Sequence, residues 1–149
     1  MPRTSITKSI EWDMGHRVPN HESKCQNPHG HRYKCEIEAA GDIIVELNDP
    51  EQGMITDFGF LKAVLLTCAH DPLDHGFMVY EGDEAMMEIA SYSTAWKWII
   101  VPYVPTAENI ANALYNRIAL EIKEKWQGRI QLSRLTLWET PTSTSTVTI

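Results

Sequence analysis

The chain has 149 residues, 43% hydrophobic and 22% charged, with a formal net charge of -7, which suits a single domain over residues 1–149 with a real core. That charge argues against a general nucleic-acid or anionic-membrane surface, because phosphate binding draws on Lys and Arg; it leaves room for one phosphorylated small molecule held by local basic groups. No apolar run approaches the roughly eighteen residues of a membrane span, the N-terminal stretch has no hydrophobic signal segment, and the three cysteines make no disulfide framework, so a cytoplasmic protein with reduced thiols is expected.

From Ser5 to Arg17 the residues alternate. Ile6, Ile10, Trp12, Met14 and His16 fall on even positions, with Lys8 the exception, and Thr7, Ser9, Glu11 and Asp13 fall on odd ones. This is the period of a half-buried strand. The polar segment "VPNHESKCQNP" predicts a loop. Alternation resumes from His29 to Ala39, with His29, His31, Tyr33, Cys35, Ile37 and Ala39 on one face. Asp57 is a candidate N-cap for a helix carrying Phe58, Leu61, Leu65 and Cys68, and "DPLDHG" ends it. Tyr80 to Pro105 is ambiguous: "EGDEAMMEIA" suits a helical turn and "KWIIV" a short strand. Thr106 caps a second helix with Ile110, Leu114, Ile118 and Ile122 on one stripe, and Gly128 follows its end. A strand then runs through "IQLSRLTLWE", with Leu135, Leu137 and Glu139 on one face. The Ser/Thr-rich end is either a flexible tail or, better, a short strand with Val147 and Ile149 on one side. The order is α+β with an antiparallel sheet, and long strands with two helices to cover them need partner subunits to close their edges.

The motif "HGH" carries the chemistry. Residues i and i+2 of a strand share a face, so His29 and His31 point together, and Gly30 leaves the opposite face bare. If the two strands pair antiparallel, His16 meets them at one sheet end. Three imidazoles on one face suit zinc with a fourth position open; the plainer alternative is polar tips at a core boundary. His21, in the loop, is treated as a bystander. Cys35 and Cys68 read as core residues, whereas Cys25 lies among Lys24, Gln26 and Asn27 and suits a reactive thiol. Asp74 and His75 form either an orienter and acid/base pair or a solvated turn. Glu139 is either an exposed strand-end carboxylate or an inward one. An inward carboxylate needs a partner, such as the paired N–H groups of a guanidine-like ring edge. No Gly-rich dinucleotide motif is present, so neither nicotinamide nor flavin is expected.

The motifs "CQNPHGH", "GMITDFGFLK", "DPLDH", "PTAENIA" and "LWET", in that order, give the chain a resemblance to the 6-pyruvoyl-tetrahydropterin and 6-carboxy-tetrahydropterin synthase family over nearly its whole length. The resemblance implies the tunnelling fold: a four-stranded antiparallel sheet with two helices on one face, order ββααββ with an insertion before the second helix. It further implies trimers stacked into a homohexamer with active sites between subunits. It assigns His16, His29 and His31 to zinc, Cys25 to the catalytic base, Asp74 and His75 to a relay, and Glu139 with Thr106 to the pterin ring. The substrate it implies is 7,8-dihydroneopterin triphosphate. Three residues between Cys25 and "HGH" resemble the carboxy branch of queuosine and 7-deazaguanine synthesis. The alternatives are the pyruvoyl branch, which retains the side chain, and a non-catalytic pterin-binding module. Trp12 and Met14 depart from the family's usual Phe and Ala before the first zinc histidine. Lys24, Arg17 and Arg32 are the basic candidates for the triphosphate.

Overall fold

Two long alternating segments set the frame of the computed structural model, which describes residues 3–149. Strand β1 (Thr4–His16) pairs antiparallel with β2 (His29–Gly41) along its whole length, from Thr4↔Gly41 to His16↔His29. Their even and odd positions, respectively, face inward. Trp12 and Tyr33 stack beneath the sheet end with ring centroids 5.9 Å apart, and both are fully buried. Strands β5 (Ile130–Thr140) and β6 (Ser143–Thr148) extend the meander beyond β2, with a bulge between Glu38 and Ala39. Val147 packs on the core, while Ile149 lies past the strand and is exposed.

The sheet differs from the four-stranded expectation. It has six strands in the order β4-β3-β1-β2-β5-β6, and two of them run parallel to their neighbours. Strand β3 (Gly76–Tyr80) pairs with only the last three residues of β1, and β4 (Trp98–Val101) pairs with β3. The cause is the stretch from Gly76 to Val101. Its two short apolar runs need a nonlocal partner, and the free edge at Met14–His16 supplies one. Close approach there requires Gly15, where a Cβ would sit 2.5 Å from the Phe77 ring; Gly30 is under no such constraint, its nearest neighbour being 3.4 Å away.

Helix α1 (Phe58–Leu65) starts where Asp57 accepts a hydrogen bond from the Gly59 amide at 2.6 Å. It continues through a widened π turn (Leu66–His70) into the short α2 (Asp71–Leu73). Leu61, Val64, Leu65 and Cys68 are buried, whereas Phe58, in the first turn, is exposed. Helix α3 (Glu84–Tyr92) is capped by Asp83. Helix α4 (Ala107–Lys125) is capped by Thr106 and buries Ile110, Leu114, Ile118 and Ile122 against the sheet. Its apolar stripe has a period of four residues, which is why this helix is legible from sequence. Among the described residues no helix is long and apolar enough to cross a membrane.

Candidate metal centre

The antiparallel register does what the parity of the two strands requires. His16 sits opposite His29, and Met14 opposite His31, so three imidazoles share the core face at one sheet end. One nitrogen from each lies within 4.8 Å of the other two, and the rings meet edge to face, with centroids 4.6 to 5.2 Å apart.

Backbone carbonyls set the tautomers. The His16 Nδ1–H donates to the Pro105 carbonyl at 2.7 Å, and the His29 Nδ1–H donates to the Asn27 carbonyl at 2.6 Å. A carbonyl oxygen can only accept, so each of these Nε2 atoms keeps its lone pair free. The Nε2 atoms of His16 and His31 are buried without a hydrogen-bond partner, a costly state unless something fills it. A divalent metal ion fits: neutral imidazoles, each fixed by its second nitrogen, are the usual arrangement of histidine ligands. Asn27 and Pro105 act through main-chain oxygens, so no side-chain pattern marks them in the sequence.

Burial also keeps the ligands neutral. It pushes the His16 ring down to about 4, against the Pro105 hydrogen bond and with help from His29 and His31. It lowers His31 as well, with the Glu139 carboxylate opposing and His29 assisting. Neutral imidazole is the metal-binding form. One pH dependence follows for the metal-free protein. Unfolded His16 takes up its proton near 6.5 and folded His16 only near 4. Between those values the unfolded state binds more protons, so stability falls as the pH drops through that window, by on the order of 1 kcal/mol per pH unit from this group. Denaturant titrations of chelator-treated protein should show that slope, and His16→Gln should remove it; an equal slope in both proteins would count against the burial argument.

The remaining expected residues fall into two groups. Cys25, in a 3₁₀ turn (Lys24–Gln26), lines a cavity of about 320 Å³ together with His16, His21, Thr106 and Glu139. Glu139 does turn inward: its carboxylate oxygens lie 3.9 Å from His16 Nε2 and 3.7 Å from His31 Nε2. The Thr106 hydroxyl is engaged as the α4 cap, accepting from the Asn109 amide at 3.2 Å. The other two cysteines are buried and unsuited to attack; burial pushes the Cys35 thiol up to about 12 and raises Cys68 too.

Asp74 and His75 form a pair, with the His75 Nδ1–H donating to Asp74 Oδ2 at 2.7 Å. Burial alone would raise the Asp74 carboxyl, but hydrogen bonds from His75 and the Asp13 amide outweigh it and lower the pKa. His75 lines a different cavity, over the bare Gly15–Gly30 face with Asp13 and Arg32. One protomer therefore does not bring the pair and Cys25 into one cavity. Of the basic candidates, Arg17 is paired with buried Asp83 at 2.8 Å and Arg32 with Asp13 at 3.0 Å, while Lys24 is exposed.

Comparison with known proteins places the fold. The family model described as 6-pyruvoyl tetrahydropterin synthase matches residues 5–149. A relative from Haemophilus influenzae named 6-carboxy-5,6,7,8-tetrahydropterin synthase is 36% identical over 140 residues, covering 93% of this chain and 94% of its own. An uncharacterized protein from Wolinella succinogenes has the same fold, with a TM-score of 0.80 at 20% identity over 99% of both chains. The 6-pyruvoyl tetrahydropterin synthase of Caenorhabditis elegans matches with a TM-score of 0.68 at 21% identity, covering 100% of this chain and 97% of its own.

Proposed function

The chain belongs to the 6-pyruvoyl tetrahydropterin synthase family, and from that premise we propose that it converts 7,8-dihydroneopterin triphosphate to 6-carboxy-5,6,7,8-tetrahydropterin, releasing acetaldehyde and triphosphate, the carbon–carbon lyase step that feeds 7-deazaguanine synthesis. One observation carries the reading: three imidazoles with free Nε2 atoms converge beside a cavity that holds the one partly exposed thiol.

His16, His29 and His31 would hold zinc, which would supply Lewis acidity for the substrate side chain. Cys25, as thiolate, takes a proton from the side-chain carbon next to those hydroxyls. His75 returns a proton as the second acid/base, and Asp74 fixes its tautomer through the 2.7 Å hydrogen bond. Glu139 accepts paired N–H donors of the pterin ring, with Thr106 beside it at the start of α4. Arg17 and Arg32 are tied into ion pairs, which leaves exposed Lys24, the residue before Cys25, as the basic candidate for the triphosphate.

The separate cavities of Cys25 and His75 favour sites completed between copies of the chain. On β1, strand β3 covers only Met14–His16, so the outer edge of β1 from Thr4 to Asp13 has no partner among the described residues, nor has the outer edge of β6. Joining those edges around a threefold axis gives the closed barrel of the tunnelling fold, and two such trimers give a homohexamer.

Anaerobic incubation with 7,8-dihydroneopterin triphosphate tests the assignment, with metal content measured on the same sample. Acetaldehyde and the carboxy product are expected in equal amounts. A pyruvoyl product with no acetaldehyde would move the chain to the other branch. Binding without turnover would make it a pterin-binding module.

A further inference from the structure

The insertion between His75 and α4 is anchored to the site at two points. Near its start, Asp83 caps α3 and pairs with Arg17, the residue after the His16 ligand. Near its end, Lys97 precedes β4. Its Nζ donates to the Asp74 carbonyl at 2.6 Å and to the Asp71 carbonyl at 2.9 Å. These carbonyls close the short α2, where the helix offers no further backbone donors. The main chain of Lys97 is itself fixed, because its carbonyl accepts from the Phe77 amide at 3.0 Å.

The turn that Lys97 grips is under constraint. His75 has φ +60, a left-handed conformation that costs a residue with a Cβ on the order of 1 kcal/mol and persists only where its surroundings enforce it. Four hydrogen bonds enforce it besides Lys97: the His75 amide donates to the Asp13 carbonyl at 2.7 Å, the Asp74 amide donates to the His70 carbonyl at 2.7 Å, the Asp13 amide donates to Asp74 Oδ1 at 3.1 Å, and the His75 ring donates to Asp74 Oδ2. All of them tie the turn to β1, to His70 just before it or to itself. From the insertion side, Ile99 packs over Gly76 and Lys97 supplies the hydrogen bonds to the turn.

We infer that Lys97 is a positioning residue, whose ammonium group holds the Asp71–Asp74 turn so that His75 is presented in one orientation. The inference rests on the reading of Asp74 and His75 as the acid–base pair, and it gives the insertion a task in the reaction: it braces the metal-ligand strand through Asp83 and the acid–base turn through Lys97. Lys97 lines neither the His75 cavity nor the Cys25 cavity. Its loss leaves two surface carbonyls that water can satisfy, so the fold survives.

The test is Lys97→Met beside Lys97→Arg. In Lys97→Met, kcat is expected to fall about ten- to a hundredfold, the scale of a misplaced catalytic group, with KM within about twofold and metal content unchanged. Lys97→Arg keeps a cation of similar reach and is expected to recover most of kcat. Amide hydrogen exchange at His75 should quicken at least tenfold in Lys97→Met. Wild-type kcat together with wild-type exchange at His75 would overturn the proposal, as would a loss confined to KM. If the wild-type protein itself does not turn over the pterin triphosphate, the proposed function fails, while the exchange rate at His75 still decides whether Lys97 holds the turn.

Discussion

Replacing His29 by Ala is expected to empty the metal centre and abolish turnover while leaving the fold intact. His29 is the first residue of β2 and only half-buried, so its truncation opens no core cavity. Its Nδ1 partner, the Asn27 carbonyl, lies in the adjoining polar loop, where water can replace the lost donor. Two imidazoles would remain, His16 and His31, too few for the three protein ligands of a catalytic zinc site. Metal after dialysis should drop from about one ion per chain to below about a tenth, and turnover at least about a thousandfold, more than the ten- to hundredfold typical of losing a group that only orients a ligand. His21→Ala is the internal control. That ring lines the same cavity, but its Nδ1 is occupied by the Ser23 amide and hydroxyl at 2.9 Å, and it lies outside the convergent triad. Metal content and melting temperature measured on both variants check the prediction. A metal-replete His29→Ala protein, or an equal metal loss in His21→Ala, would sink it.

The triad was readable from the sequence because two independent periodicities met. Strand parity put His16 with Trp12 and Met14, and put His29 and His31 with Tyr33 and Cys35; antiparallel pairing of neighbouring strands then left one geometry. The caps at Asp57 and Thr106 and the α4 stripe were readable for the same reason, since each is a local rule with a short reach. What escaped was nonlocal. Strand β3 is five residues long and exists because the end of β1 offers an edge, which no local pattern encodes. Asp83 reads as one acid in an acidic stretch until folding buries it against Arg17. The Pro105 and Asn27 carbonyls that orient two ligands have no side-chain signature at all. Phe58 shares the helical spacing of Leu61, Leu65 and Cys68 but occupies the first turn of α1, where it is exposed.

The separation of Cys25 from His75 bears directly on the second large prediction. Cys25→Ala is expected to keep metal and pterin binding yet lose turnover by about two to four orders of magnitude, the usual range for removing a group that transfers the proton. Three thiols could in principle do this work. Cys35 is fully buried and pushed up to about 12, and Cys68 is buried with its pKa raised. Cys25 alone is partly exposed and shares its cavity with the His16 ligand and the Glu139 carboxylate. The loop does not depend on the thiol: it is closed on itself by the Val18 amide donating to the Cys25 carbonyl at 2.8 Å, which Ala preserves. Loss of activity in this variant would therefore report chemistry rather than a displaced loop. Iodoacetamide offers a second measure, since alkylation of Cys25 should run ahead of the other two thiols and track inactivation. If Cys25→Ala turns over the pterin triphosphate at the wild-type rate, the proton is moved by another group, and His75 would then be the acid–base residue left to carry both transfers.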